Sequence, residues 1–379
     1  MRTALYQHRN AIVTKHQNSD IFDEGQAQLV LCFGAKKLFQ NTATYTELRE
    51  KYPLADMVMC STAGEIFNNE VFDDSISVAV IQLEKTKIKA ESVKIEDYDN
   101  SYAAGVSMIG KFSTDNLAYL LVLSDGSKVN GSELVRGLNN GAKKNLPVTG
   151  GLAGDGSNFQ STLVGLNEQP VEGLIVGIGF YGNDIQVNHG SKGGWETFGL
   201  EKQVTKSVSN VLYEINNQNA LELYKTYLGH EADALPGSAL LFPLSVALPG
   251  TGEVVVRTIL SINEVEGSMT FAGDIPVGAQ VRFMKANFDK ITNAASGAAL
   301  QSLNANTQPP KLALLISCVG RKLILQSRID EEVEAVDEIF DHKTLLTGFY
   351  SYGEISPYSI GDCDLHNQTM TVTLFHEQP

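Results

Sequence analysis

Cys32-Phe33-Gly34-Ala35-Lys36 follows the apolar run Gln28–Phe33, and Cys318-Val319-Gly320-Arg321-Lys322 closes the apolar run Lys311–Cys318. Apolar runs of this length with little alternation read as strands buried on both faces. The match continues downstream. Ser61-Thr62-Ala63-Gly64-Glu65-Ile66 corresponds to Ser351-Tyr352-Gly353-Glu354-Ile355, one residue shorter, and strands Ser75–Leu83 and Thr369–His376 close the two segments. The common unit is strand, glycine turn, helix, strand, Gly-Glu-Ile, strand. Chance likeness between short strand-and-turn segments is the alternative; matched order and near-matched spacing favour a duplicated unit. Duplication predicts that the two ends of the chain pair about a pseudo-two-fold axis. Glu65 and Glu354 would then lie together or in equivalent niches, and a cleft would form where the units meet.

Between these ends the reading alternates strands and helices. Helices are expected at Ala35–Lys51, Tyr102–Phe112, Asn130–Lys144 (capped by Asn130 or Ser132), Ala220–Tyr227 (stopped by Gly229), Ile291–Leu303 and Glu331–Phe340. Strands are expected at Ala55–Cys60, Ala118–Leu123, Gly173–Phe180, Ala239–Phe242, Glu253–Ile262, Gln280–Met284 and Leu345–Tyr350, with a linker at Thr307–Pro310. At 379 residues two domains are expected, with mixed sheets flanked by helices: an α+β protein.

The net charge of −15 argues against nucleic acid and anionic membranes as partners. No apolar run is long enough to span a bilayer, and Met1–Asn10 lacks a signal peptide's apolar core. The four cysteines (Cys32, Cys60, Cys318 and Cys363) form no Cys-x-x-Cys pair. They fit a reduced, cytoplasmic protein better than a zinc site or a disulfide framework.

Two glycine-rich stretches are candidate ligand loops. Val187–Gly199 carries His189, Lys192 and the only tryptophan, Trp195. Thr149–Ser157 is the densest glycine cluster and includes Gly151, Gly154 and Asp155. Each also reads as an ordinary tight loop. His366, before the last strand, is either a turn-stabilising imidazole or a ligand. A lone histidine beside an aromatic suits axial ligation of haem (heme) iron, whereas four-coordinate zinc needs more ligands than any local cluster offers. Cys32 and Cys318 could act as nucleophiles beside Lys36 and Lys322, but small buried packing residues are the simpler reading. No enzymatic motif is evident.

Longer blocks resemble the FIST-domain proteins. They are Leu123–Gly126, Asn130–Leu134, Gly150–Gly156, His189–Gly199, Val204–Ser207, Asn210–Glu214, Ala220–Gly229, Ser317–Lys322, Gly348–Pro357 and Leu365–Thr369. The resemblance implies a lead-in over 1–25, an N-terminal domain over 26–219 and a C-terminal domain over 220–379. It also implies sensory binding of a small ligand, with amino acids as candidates. The stand-alone nitric-oxide-sensing members called NosP imply more: bound haem and control of a partner histidine kinase; from its context His189, near Trp195 and with Lys192 and Lys202 toward the propionates, is the first choice of iron ligand, and His366 the second. The haem-free alternative places a small metabolite against the Gly150–Ser157 loop, Glu65 and Glu354. The sequence leaves self-association open.

Overall fold

The computed structural model describes residues 1–9, 12–18, 22–142, 145–235, 237–250, 254–303, 310–357 and 362–378. All but Pro310 of the expected linker Thr307–Pro310 lies outside them. Three strand pairs organise the chain. In order, the first part contains β1 (Arg2–Arg9), β2 (Ile12–Asn18), β3 (Leu29–Gly34), helices α1 (Lys36–Phe39) and α2 (Thr42–Lys51), β4 (Asp56–Ser61), β5 (Glu65–Phe67), β6 (Glu70–Phe72) and β7 (Ile76–Gln82). The second contains β8 (Lys87–Lys94), α3 (Ser101–Gly110), β9 (Leu117–Ser124), α4 (Gly131–Gly141), β10 (Val148–Leu152), β11 (Val164–Leu166) and β12 (Leu174–Tyr181).

The third begins with β13 (Ile185–Lys192) and is interrupted by β14 (Glu196–Val208), β15 (Val211–Ile215), β16 (Gln218–Asn219), α5 (Ala220–Leu228), β17 (Leu244–Ala247), β18 (Val254–Arg257), β19 (Ile259–Asn263), β20 (Ser268–Phe271) and β21 (Gln280–Lys285). It resumes with α6 (Phe288–Ser302), β22 (Leu312–Cys318), α7 (Val319–Leu325), α8 (Asp330–Ile339), β23 (Leu345–Ser351), β24 (Gly353–Pro357), β25 (Cys363–His366) and β26 (Met370–Glu377).

The repeat is three-fold, not two-fold. Each unit pairs its first two strands in parallel: β3 with β4, β9 with β10, β22 with β23. Each adds its last strand antiparallel to the first: β7, β12, β26. Each then adds the strand that precedes the unit: β1, β8, β13. The remaining position, beside the second strand, is filled by exchange. β11 of the second unit pairs with β4, β24 of the third with β10, and β5 of the first with β23. The donation is cyclic, so each sheet is completed by a neighbour.

The inner faces of the three sheets meet in one core, where Leu31, Phe33, Leu121, Leu123, Leu314, Ile316 and Phe349 pack together. Phe33 and Phe349 stack at 4.9 Å. Burying this apolar surface supplies the main drive for assembling the units. Helices cover the outer faces. Gly105 of α3 and Gly137 of α4 let those two helices cross closely, since a Cβ on either would lie 2.3 or 2.2 Å from a backbone oxygen of the other. Alanines on α6 serve the same end against β13, where a Cβ on Gly190 would lie 2.1 Å from Ala298 O.

The interrupting segment forms a separate sheet in the order β18-β17-β21-β14-β15-β20-β19, with its own core around Leu212, Tyr224, Met269 and Phe283. The protein is thus α+β, with two bodies of mixed sheets and helices. Several expectations are corrected. Ala35–Lys51 divides into two helices, because the Asn41 side chain caps a fresh start at Ala43 N. Ala239–Phe242 lies in a 3-10 turn, and Glu253–Ile262 breaks into two strands beside the buried Arg257. His189 is on strand β13 rather than a loop.

Candidate functional site

Strands β3 and β4 run in parallel and end side by side at Gly34 and Ser61. Ligands of open α/β sheets bind beyond such carboxyl ends. Here the chain turns away on both strands, and a hollow of 340 Å³ remains, with Lys36, Lys37, Glu65, Asp73, Asp155 and Asn158 among its walls. Gly34 permits the turn, since a Cβ would lie 2.8 Å from Ile76 Cγ1 and 3.1 Å from Ser75 O.

The far wall is the glycine cluster of the second unit. Its first half is strand β10; its second half leaves the sheet and docks on the first unit. Gly154 N donates to Ser61 O at 2.9 Å, and Gly156 N to Thr62 O at 3.1 Å. Asp155 is held by the backbone N–H groups of Gln160 (3.3 Å) and Ser161 (3.1 Å) and by the Tyr352 hydroxyl. Lys36 Nζ stands 3.8 Å from Asp155 Oδ2 and donates to Ser161 Oγ. The opposite rim carries Lys37 paired with Asp74 at 2.7 Å, and Asp73 paired with Lys322. Cations and carboxylates therefore face one small volume from two units.

Glu65 and Glu354 occupy equivalent niches. Glu65 accepts from Thr62 Oγ1 at 2.6 Å, Ser75 N at 3.0 Å and Ser75 Oγ at 2.8 Å. Glu354 accepts from Ser351 Oγ at 2.6 Å, Thr369 N at 3.2 Å and Thr369 Oγ1 at 2.9 Å. Each carboxyl ties the turn after the second strand to the start of the last. Burial raises them, Glu65 to about 7 and Glu354 to about 8, against the opposing pull of those hydrogen bonds. Both carboxyls are engaged within the fold; Glu65 also lines the hollow, and Glu354 holds the equivalent place in the third unit, on the strand donated to the second unit's sheet. Gly151 is inside β10, packed on Ile316. The thiols of Cys32 and Cys318 are buried, and burial pushes both well up, Cys32 to about 12. That disfavours the reactive thiolate.

The histidines lie elsewhere. His189 pairs across to Thr373, half-buried, and its Nδ1 is buried without a partner. Burial lowers its pKa. His366 Nε2 is 3.0 Å from Ser356 O, and burial lowers this imidazole too, with the neighbouring Arg257 and His189 adding to the effect against Asp364. Trp195 Nε1 donates to Gln368 O at 2.9 Å. Trp195 lines an open groove of 730 Å³ with Glu196, Phe198, Lys285 and Lys290. Lys192 lies along α6 over Gly297, and Lys202 over the Tyr227 ring at 5.4 Å.

Neither hollow brings a histidine to a face where a haem could lie. The groove at Trp195 contains no histidine, cysteine or methionine, and neither His189 nor His366 lines it or the hollow at Lys36. The orphaned His189 Nδ1 is the single feature in favour. Among the described residues no group of three or more His, Cys, Asp and Glu is arranged to hold a metal ion.

Lys36 and Tyr352 are the candidate site residues hardest to single out from sequence, although both lie inside the repeated segments. Their signal is positional: Lys36, Lys128 and Lys322 each stand two residues after a glycine at, or two residues beyond, the end of a first strand.

An uncharacterized protein of Mycobacterium tuberculosis (strain CDC 1551 / Oshkosh) is 29% identical over 133 residues, covering 34% of this chain and 33% of its own length. An uncharacterized protein of Mycobacterium bovis (strain ATCC BAA-935 / AF2122/97) is 30% identical over 136 residues, with the same coverage. The chain thus spans about a third of the length of the curated relatives it matches. The FIST N domain matches residues 28–218 and the FIST C domain residues 220–357. The chain therefore belongs to the FIST family, whose domains are associated with sensory signal transduction and small-ligand binding.

Proposed function

We propose that the protein is a sensor of a small zwitterionic metabolite, of amino-acid size, held in the hollow between the first and second units. The observation that carries this reading is the meeting of Lys36 and Asp155, 3.8 Å apart, at the carboxyl ends of a parallel strand pair. The ligand's carboxylate would face Lys36 and Lys37, and its ammonium group would face Asp73 and Asp155. Competing for those pairs, the ligand would shift how the loop after β10 docks on the first unit. A population shift of this kind passes to a partner only if the two states differ in affinity for the ligand. The partner in this reading is a signalling protein such as a histidine kinase.

A thermal-shift panel of the common amino acids and small amines tests the proposal. Specific binding raises the melting temperature by mass action, on the order of 2.7 kcal/mol at a hundredfold excess over Kd. A panel in which every compound leaves the transition unmoved removes the reading.

A second reading, haem-based sensing of nitric oxide through His189, has the unpartnered Nδ1 in its favour. An absorption spectrum with added haemin decides it. A Soret band lost in His189→Ala supports that reading, and no band, or one unaltered in that variant, excludes it.

A further inference from the structure

We infer a second ligand site, for a flat aromatic or heteroaromatic ring with polar groups at its edge, at the seam between the three-sheet body and the inserted sheet. It does not rest on the amino-acid reading. Beyond the carboxyl ends of β9 and β10 lies a hollow of 530 Å³. It occupies in the second unit the place that the Lys36 hollow occupies in the first. Its inner wall is Gly126–Asn130 and Leu152; its outer wall is Leu260, Ser261, Thr270 and Phe271 of the inserted sheet.

The floor is aromatic. Phe159 stacks on Tyr352 with ring centroids 4.7 Å apart and planes 20° from parallel. Tyr352 is fixed from beneath: its hydroxyl accepts the Phe159 N–H at 3.1 Å and the Asp155 N–H at 3.1 Å, and donates to Asp155. Phe159 itself has a φ of 53°, a left-handed conformation that costs a non-glycine residue roughly 1 kcal/mol or more. Its ring is nevertheless 41% exposed. Strain that returns little buried surface is a mark of a site awaiting a partner. Across the gap Leu260 is 45% exposed and presents a second apolar plate. A ring inserted between Phe159 and Leu260 would cover both, and stacking on an aromatic face adds to the area term.

Polarity at the rim limits the ligand's edge. Lys128 is already paired with Glu172 at 3.0 Å, and Asn130 Nδ2 contacts Asp274 at 3.4 Å. Gln160 completes the rim and lines the Lys36 hollow as well. Neutral donors and acceptors at the ring edge suit this setting better than a charge. Because the walls belong to different bodies, an occupied site would tie the inserted sheet to the second unit.

The test is calorimetric titration of the full chain with four probes: indole, adenosine, guanosine and riboflavin. Variants Phe159→Ala, Leu260→Asp and Lys36→Ala are titrated in parallel. The site predicts saturable binding of at least one probe, weakened tenfold or more in Phe159→Ala and in Leu260→Asp and unchanged in Lys36→Ala. Hydrogen exchange across β19 and β20 should slow when that probe is bound. Absence of binding for all four probes overturns the inference. So does binding that both Phe159→Ala and Leu260→Asp leave intact, or binding that only Lys36→Ala removes. Both substituted side chains are substantially exposed, so their loss leaves the fold in place, which circular dichroism verifies.

Discussion

The turn at Gly34–Lys36 and the turn at Gly320–Lys322 have the same pattern and opposite outcomes. In the first, the residue between glycine and lysine is Ala35, and a hollow remains. In the third unit it is Arg321, fully buried, and its guanidinium is tied up within the chain. Arg321 bonds Glu332 Oε2 at 2.7 Å, Gly193 O at 2.5 Å and Ile291 O at 2.8 Å. Glu332 also accepts from Ser317 Oγ and the Tyr350 hydroxyl. The residue between glycine and lysine thus borders an open hollow in the first unit and forms a buried ion pair with Glu332 in the third. The general point is that a repeated fold repeats the location of sites, while single residues decide which locations stay open.

The largest effect is expected at Arg321. Arg321→Ala leaves Glu332 buried and uncompensated, and should cost about 3–5 kcal/mol in urea denaturation. Arg321→Met with Glu332→Leu should recover most of that loss. If Arg321→Ala proves as mild as a surface change, the contrast between the two turns is not energetic.

Next come two glycines that test the equivalence of the units. A Cβ on Gly150 would lie 1.8 Å from Val122 O, and one on Gly348 would lie 1.8 Å from Leu315 O. Each glycine faces the first strand of its own parallel pair. Gly150→Ala and Gly348→Ala should each destabilise by about 3 kcal/mol or more, and by similar amounts. A large difference between them would weaken the repeat as a physical description.

The paired carboxyls give a pH signature. Between the ordinary carboxylate range and the raised values of about 7 and about 8, the folded chain keeps protons on Glu65 and Glu354 that the unfolded chain has released. Stability is therefore full at acid pH and falls as pH rises through that window. Full titration costs on the order of 3 kcal/mol at Glu65 and on the order of 5 kcal/mol at Glu354. Glu65→Gln and Glu354→Gln should each flatten the profile, measured as the urea midpoint against pH, the second over the wider range.

The smallest stability effect belongs to Lys36→Ala. A partly exposed pair at 3.8 Å contributes under about 1 kcal/mol. Its consequence for ligand affinity should be a loss of tenfold or more, the reverse of the balance at Arg321.

Much of this was legible in residues alone. The buried strands at Leu29–Gly34 and Leu312–Cys318 are continuous apolar runs, and the matched Gly-Glu-Ile segments place Glu65 and Glu354 in the same niche. The third unit of the repeat was hidden for chemical reasons. Ser124 stands where the others have cysteine, and no Gly-Glu-Ile follows β10. Strand exchange was hidden as well, because β5, β11 and β24 are short and their partners are far away in sequence. His189 stands among glycines, yet the stretch around it is mainly extended, because β26 pairs with it residue by residue from Ile185 to Lys192. Arg321 reads as a surface cation until Glu332 is seen eleven residues later on the helix packed over it.

The central claim is that a small zwitterion binds where the first and second units meet. Calorimetric titration of the amino acids into the wild type, Lys36→Ala and Phe159→Ala tests it most directly. The account predicts saturable binding of at least one amino acid, weakened tenfold or more by Lys36→Ala and untouched by Phe159→Ala. No heat from any amino acid, or binding indifferent to Lys36→Ala, would contradict it.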